Sequence, residues 1–308
     1  MKSVIQDYTQ LDDLSINQPI YLIDSQIQQH PFFRPREKKA HKGNFGKLLL
    51  VGGHKGMGGA IRLSGEIAMR CGTGLVVVAT DPANQPSILS AIPELMTQSL
   101  LIPEDLYDRV SWCDCIGLGP GLGRDTWSQN IFNYFYDPKL SESKLAVIDA
   151  DALYWLAQQK NKQVPKYKNQ NDVRSDFCII TPHSAEAARL LSCSVDDIEQ
   201  NRPSSVKKLA KEYQCIAVLK GAGTLISDGD IVFKVMAGNP GMATAGMGDI
   251  LTGIISGLVA QGVSTLDAAC IGVWLHASAG DLAAQEYGEK GMFASDLFSY
   301  VRKLINCK

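Results

Sequence analysis

Lys47-Leu-Leu-Leu-Val51-Gly52-Gly53, then Gly56-Met-Gly-Gly59, then Leu75-Val-Val-Val-Ala79: this stretch decides the fold class of the chain. A short apolar run closed by a glycine pair reads as a strand buried on both faces, because a half-exposed strand would alternate apolar and polar residues. Between the two runs, Ala60 to Cys71 puts Ile61, Ser64, Ala68 and Cys71 on one helical face. Strand, helix, strand in this order is a βαβ unit, the building block of a parallel sheet.

The pattern repeats along the chain. Asp114-Cys-Ile-Gly117, Lys144-Leu-Ala-Val-Ile148, Phe177-Cys-Ile-Ile-Thr181 and Ile216-Ala-Val-Leu219 are further buried strands. Asp196 to Tyr213 is a helix with Val206, Leu209 and Ala210 inward, and Leu266 to Gln285 and Ser295 to Ile305 read as packing helices, with His276 as a core residue among alanines. Leu225 to Phe233 alternates around Asp228-Gly229, a strong hairpin signal, so an antiparallel hairpin is expected at one edge of the sheet. Met1 to Ile20 is polar and reads as a loosely attached lead-in, leaving residues 21–308 as one α/β domain. The polar stretch Lys160 to Asp176 reads as an exposed loop within it.

A chain of 308 residues can bury about 75% of its extended surface, enough for one large core. Its net charge of -2 argues against a binder of the nucleic-acid phosphate backbone. No apolar run approaches the roughly 20 residues of a membrane span. The eight cysteines are scattered, and the closest pair, Cys113 and Cys115, has neither zinc nor redox spacing. Reduced buried thiols and a cytoplasmic location are the expectation.

Ligands of parallel sheets gather where strands end, and five such ends here are rich in glycine or polar groups. Gly56-Met-Gly-Gly59 and Gly117-Leu-Gly-Pro-Gly-Leu-Gly123 both fail the G-x-G-x-x-G fingerprint, and no G-x-x-x-x-G-K-[ST] occurs, which weakens a nicotinamide dehydrogenase and a P-loop ATPase. Asp149 and Asp151 end one strand, either facing a magnesium–phosphate group or, for Asp151, capping the helix that begins near Ala152; the cap is favoured. His183 follows another, as a structural histidine or a site residue. Lys220-Gly-Ala-Gly-Thr224 follows a third, suited to a nucleotide phosphate or to a surface turn.

The densest signal is Asn239-Pro-Gly-Met-Ala-Thr-Ala-Gly-Met-Gly-Asp-Ile-Leu-Thr-Gly253, a glycine-rich loop running into a buried apolar helix. Amides of Gly246, Met247 and Gly248 at the positive end of that helix make an anion hole that needs no lysine. Asp249 beside them serves either as a helix cap or as a general base.

Together, His41-Lys-Gly43, the Gly117–Gly123 loop, Asp149-Ala-Asp-Ala-Leu153, Thr181-Pro-His183, Lys220–Thr224 and Asn239–Gly253, in this order, resemble the NAD(P)H-hydrate dehydratase family from about Ile20 to Leu304. The resemblance implies a ribokinase-like fold, with a mainly parallel central sheet flanked by helices on both faces. It implies restoration of NADH or NADPH from their hydrates at the expense of ADP or ATP, with Mg2+ as cofactor. Lys220, Gly221, Ala222, Gly223, Thr224 and Gly248 would contact the nucleotide, and Ala60, Gly121, His183 and Asp249 the hydrated dinucleotide. Asp249 would be the catalytic base. Ser184-Ala185 stands where relatives often have Pro-Gly. The resemblance also implies a homo-oligomer, a tetramer being favoured, and a functional partnership with a separate NAD(P)H-hydrate epimerase. A small-molecule kinase of the same superfold, acting on a vitamin-precursor alcohol or a sugar, is the alternative.

Overall fold

The computed structural model describes residues 19–22, 24–136, 144–159 and 178–306. Most of the expected lead-in and the whole of the expected loop 160–176 lie outside the described residues. Ten strands form one sheet: β1 Ile20–Tyr21, β2 Lys47–Val51, β3 Leu75–Thr80, β4 Met96–Ser99, β5 Cys115–Leu118, β6 Leu145–Ile148, β7 Ile179–Ile180, β8 Ile216–Leu219, β9 Leu225–Ser227 and β10 Val232–Lys234. Their order is β1-β10-β9-β8-β7-β6-β5-β2-β3-β4. Strands β2 to β8 pair in parallel, and β9 is antiparallel to both of its neighbours.

Each strand serves two cores because successive side chains point to opposite faces. Leu48, Leu50, Val76, Val78, Ile216 and Val218 enter one cluster with the helices Gly58–Arg70, Met247–Ala260 and Thr265–Tyr287. Leu49, Val51, Val77, Ala79, Ala217 and Leu219 enter the other with Thr126–Tyr136, Ser184–Leu191 and Arg202–Tyr213. The sheet is thus filled from both sides, as its unbroken apolar strands require.

The helices Gly58–Arg70 and Met247–Ala260 approach closely at small residues. A Cβ on Gly253 would lie 2.3 Å from the Ser64 carbonyl oxygen, and one on Gly257 3.2 Å from the Ala68 Cα. The expected helical face of Ile61, Ser64 and Ala68 is the face that makes this contact.

The hairpin β9–β10 lies at the predicted side of the sheet, but it is not the outermost element. Strand β1 pairs in parallel with β10, Ile20 opposite Phe233, so the last residue assigned to a loose lead-in is part of the sheet. Two residues with no flanking periodicity carry no strand signal of their own. The basic stretch before β2 is likewise pinned: the Arg36 guanidinium stacks 3.5 Å above the Phe45 ring and donates to the Gly72 carbonyl.

Chain order runs outward from β2 to β4, returns to β5 on the other side of β2, and runs outward again to β8. Loops after β2 and β5 lie at this switch point, the place where α/β sheets bind ligands, and are tied together there by the Gly53 amide donating to the Pro120 carbonyl at 2.9 Å. Among the described residues, no helix is long and apolar enough to cross a membrane. The described cysteines are free thiols, all buried except Cys193.

Candidate active site

Helix Met247–Ala260 begins beside the carboxyl ends of β6 and β8. Its N-cap is Gly246, whose φ of 91° is open to glycine, and no side chain caps it. Asp249 is the third residue of the helix, so the simple cap reading fails. The first helical hydrogen bond runs from the Ile250 amide to the Gly246 carbonyl. The amides of Met247, Gly248 and Asp249 thus lack partners within the helix, at the end where its dipole is positive.

Burial and the negative charge of Asp149 push the Asp249 carboxyl up to about 7, against the opposing pull of Lys220. Among the described residues no side chain hydrogen-bonds it. Its backbone is fixed, since the Ser64 hydroxyl lies 2.8 Å from the Asp249 carbonyl oxygen and 3.2 Å from that of Ala60. Ala60 in turn meets Gly121: a Cβ at Gly121, where φ is +59°, would sit 3.2 Å from the Ala60 Cβ and 2.7 Å from the Met57 carbonyl oxygen. Two expected substrate residues, one on a helix and one on the loop after β5, are therefore close neighbours, with Ser64 one helical turn beyond Ala60.

Asp149, at the end of β6, is 1% exposed, and both its carboxylate oxygens are occupied. Oδ1 accepts from Lys220 Nζ at 2.8 Å and Oδ2 from the Thr252 hydroxyl at 2.6 Å. Burial pushes this carboxyl up, but the Lys220 charge and the bonds from Lys220, Thr252 and Thr181 outweigh it and hold it below the usual range. Ala150 follows with φ 49°, a strained turn for a residue with a Cβ. The expected cap at Asp151 is not formed. The helix starts at Asp151 itself, and its carboxylate accepts from the Gly123 amide at 2.9 Å and from Arg124 at 2.8 Å, tying β6 to the glycine loop after β5.

Lys220 is shared. Glu186 lies 3.8 Å from its ammonium, and Gly248 sits beside it, a Cβ there falling 3.5 Å from Nζ. Three carboxylates, Asp149, Glu186 and Asp249, surround one lysine. The surplus negative charge explains why burial and Asp149 together raise the Glu186 carboxyl to about 7 despite Lys220.

His183 ends the loop after β7 as the N-cap of Ser184–Leu191. Its Nδ1 accepts from the amides of Ala185 and Glu186 at 3.2 and 3.4 Å, and Glu186 accepts from the His183 amide at 2.8 Å. This is a capping box with imidazole in the place of a hydroxyl, formed without Pro-Gly after the histidine. Burial and the nearby Lys220 hold the imidazole below its usual pKa, hence neutral. Nδ1 as acceptor puts the proton on Nε2, 3.4 Å from the Glu186 carboxylate.

A cavity of about 710 Å3 is lined by His183, Lys220, Gly221 and residues 242–245, which precede helix Met247–Ala260. Ala222, Gly223 and Thr224 follow Gly221 in the chain but are not part of that lining, and the Thr224 hydroxyl donates to the Gly221 carbonyl at 3.1 Å. The loop before Gly246 is moored by a residue that sequence reading had passed over. Asp281, on a helix read only as packing, accepts from the Gly238 amide and the Asn239 side chain, each at 2.9 Å. His276, on the same helix, has a buried Nε2 with no partner among the described residues, and burial lowers its pKa to about 4.

Residues 48–303 match the family model for NAD(P)H-hydrate dehydratase. The bifunctional NAD(P)H-hydrate repair enzyme of Vibrio cholerae is 45% identical over 285 residues, 92% of this chain and 54% of that protein. The chain spans about half the length of that relative. The ADP-dependent (S)-NAD(P)H-hydrate dehydratase of Neisseria meningitidis is 35% identical over 277 residues, 89% of this chain and 90% of that one. The crystal structure of an ADP/ATP-dependent NAD(P)H-hydrate dehydratase from Bacillus subtilis, co-crystallised with ATP/Mg2+, superposes with a TM-score of 0.79 at 25% identity, covering 94% of this chain and 98% of that one. The ribokinase-like sheet, the amides at Gly246 to Asp249 and the match over nearly the whole chain agree, and this chain belongs to the NAD(P)H-hydrate dehydratase family.

Proposed function

We propose that the chain dehydrates hydrated NADH or NADPH at the expense of ADP or ATP, with residues 21–308 acting as one catalytic unit. One observation carries this reading. Asp249 is a carboxyl group with no hydrogen-bond partner among the described residues, pushed up to about 7, in the first turn of a helix whose leading amides have no partner within the helix.

Asp249 accepts the proton of the ring hydroxyl as that oxygen attacks the terminal phosphoryl group of the nucleotide. Amides of Gly246 to Asp249 hold the charge that develops, and the dry cluster around Lys220 strengthens the interaction. The hydroxyl has then become a phosphate ester. The ring nitrogen lone pair expels phosphate, breaking the carbon–oxygen bond, and loss of a proton from the neighbouring ring carbon restores the double bond. Phosphate leaves readily where hydroxide does not, which is why the reaction consumes a nucleotide. Lys220, Gly221, Ala222, Gly223, Thr224 and Gly248 hold the nucleotide, and Ala60, Gly121 and His183 the hydrate. Because Asp149 and Glu186 largely balance Lys220, the amides provide most of the anion binding.

Among the described residues no three His, Cys, Asp or Glu side chains are grouped to hold a metal. That donor set fits a magnesium ion arriving on nucleotide phosphates, since Mg2+ needs only one or two carboxylates when phosphate and water fill its other positions. Glu186, with the surplus charge around Lys220, would hold it. When bound it neutralises charge on the transferred phosphoryl group.

A homo-oligomer, a cytoplasmic setting and a separate epimerase that supplies the reactive epimer of the hydrate complete this reading, and rest on the family resemblance alone. The deciding experiment is incubation with hydrated NADH and either nucleotide. Return of the reduced-ring absorbance with release of phosphate is expected; a stable phosphorylated alcohol would instead make the chain a kinase.

A further inference from the structure

Resting on the reading that Lys220–Thr224 holds the nucleotide, we infer that Arg202 is a positioning residue that sets the width of the nucleotide cavity. Arg202 is the first residue of helix Arg202–Tyr213, and its side chain is 15% exposed. Nη2 donates to the carbonyls of Leu219 and Lys220, each at 3.1 Å. Nη1 donates to the Ser184 hydroxyl at 3.3 Å and to the Glu199 carboxylate at 3.1 Å, and Ser184 in turn donates to Glu199. One planar group thereby joins the exit of β8 to the residue after His183, the two walls of the cavity.

Gly221 shows how close this contact is. Its φ of +143° belongs to glycine, and a Cβ there would lie 2.9 Å from Nη2 and 3.0 Å from Nη1. The guanidinium packs against the backbone where the nucleotide loop begins, so the loop's path is set by Arg202 as much as by its own glycines. A lysine cannot replace it, because a single ammonium has no fork with which to span two carbonyls and a hydroxyl. Arg202 touches neither the reacting atoms nor Asp249, so its loss acts on nucleotide affinity and not on the chemical step.

The test is steady-state kinetics of the full chain and of Arg202→Lys and Arg202→Gln, varying ADP or ATP and hydrated NADH separately, with thermal melting and calorimetric titration of the nucleotide alone. Expected in both variants are a nucleotide KM raised about tenfold or more, kcat at saturating nucleotide within about twofold and an unchanged hydrate KM, the pattern of lost ground-state binding. Full rescue by lysine, or both KM values rising together, overturns the inference. If the Arg202 variants do not fold, Ser184→Ala removes one anchor and is expected to raise nucleotide KM about threefold at constant kcat by the same reasoning. An unchanged KM in Ser184→Ala overturns the inference. Wild-type chain that binds neither nucleotide overturns the proposed function and this inference together; wild-type binding matched by the variants overturns this inference alone.

Discussion

The end of β6 and the first turn of helix Met247–Ala260 each place an aspartate where Lys220 acts on it, and the two are opposites. Asp149 has a proton donor on each oxygen and is held below the usual carboxylate range; Asp249 has none among the described residues and is pushed up to about 7. The difference shows how one low-dielectric cluster holds a structural acid and a reactive one. A satisfied carboxylate has spent its basicity on its neighbours, while an unsatisfied one keeps it for a ligand.

The largest effect expected from breaking this contrast is on the satisfied side. Asp149→Ala leaves the Lys220 ammonium without its closest partner and is expected to destabilise the fold by about 3–5 kcal/mol, read by denaturant unfolding. A loss under about 1 kcal/mol would show that the pair is not what holds β6 to β8. Next comes Asp249→Asn, which should keep the fold and nucleotide binding but lower kcat by at least about a hundredfold, as for a removed general base. Thr252→Val, which takes one donor from Asp149, is expected to lower stability by about 2 kcal/mol, within the range for bonds to charged groups. Equal melting of this variant and the wild type would separate Thr252 from the cluster.

Acid dependence sharpens the comparison further, because the two linkages have opposite signs. Asp249 is raised in the folded state, so its contribution to stability is present below its unfolded value near 3.9 and is lost as pH rises toward about 7. Asn at 249 removes that penalty, and the variant should gain melting temperature on wild type across the same window, then hold a constant lead above it. Asp149 is lowered, so its contribution is present above about 3.9 and is lost as pH falls through its folded value. For activity, kcat/KM should fall about tenfold for each pH unit below about 7 as the base protonates. A flat profile from pH 5 to pH 8, roughly the span over which such a group titrates, contradicts the role of Asp249.

Much of this was legible in the chain. Leu48 to Val51, Val76 to Ala79 and Ile216 to Leu219 are apolar on both faces of the sheet, and unbroken runs announce that directly. The Asp228-Gly229 turn announced the hairpin. The glycine loops were visible because glycine is needed where backbones nearly touch, as Gly121 does with Ala60 and Met57. What stayed hidden depends on residues distant in sequence. Lys220 and Asp149 are 71 positions apart, and Thr252 and Asp149 are 103 apart; no local pattern encodes either contact. Asp281 and Arg202 lie on helices whose apolar stripes dominate their reading, yet their polar ends fix the loops around the cavity. Asp151 was misread because a carboxylate near a helix start looks the same whether it caps its own helix or binds the amide of Gly123. Strand β1 is two residues long, too short for any period to show.

The central claim is that Asp249 is the base that activates the ring hydroxyl for phosphoryl transfer. Single-turnover mixing of the protein with hydrated NADH and a nucleotide labelled on its terminal phosphate tests this most directly. The wild-type chain is predicted to yield labelled phosphate and reduced nicotinamide ring in equal amounts, while Asp249→Asn binds both substrates and yields neither at a comparable rate. Near-normal product formation by Asp249→Asn would contradict the account.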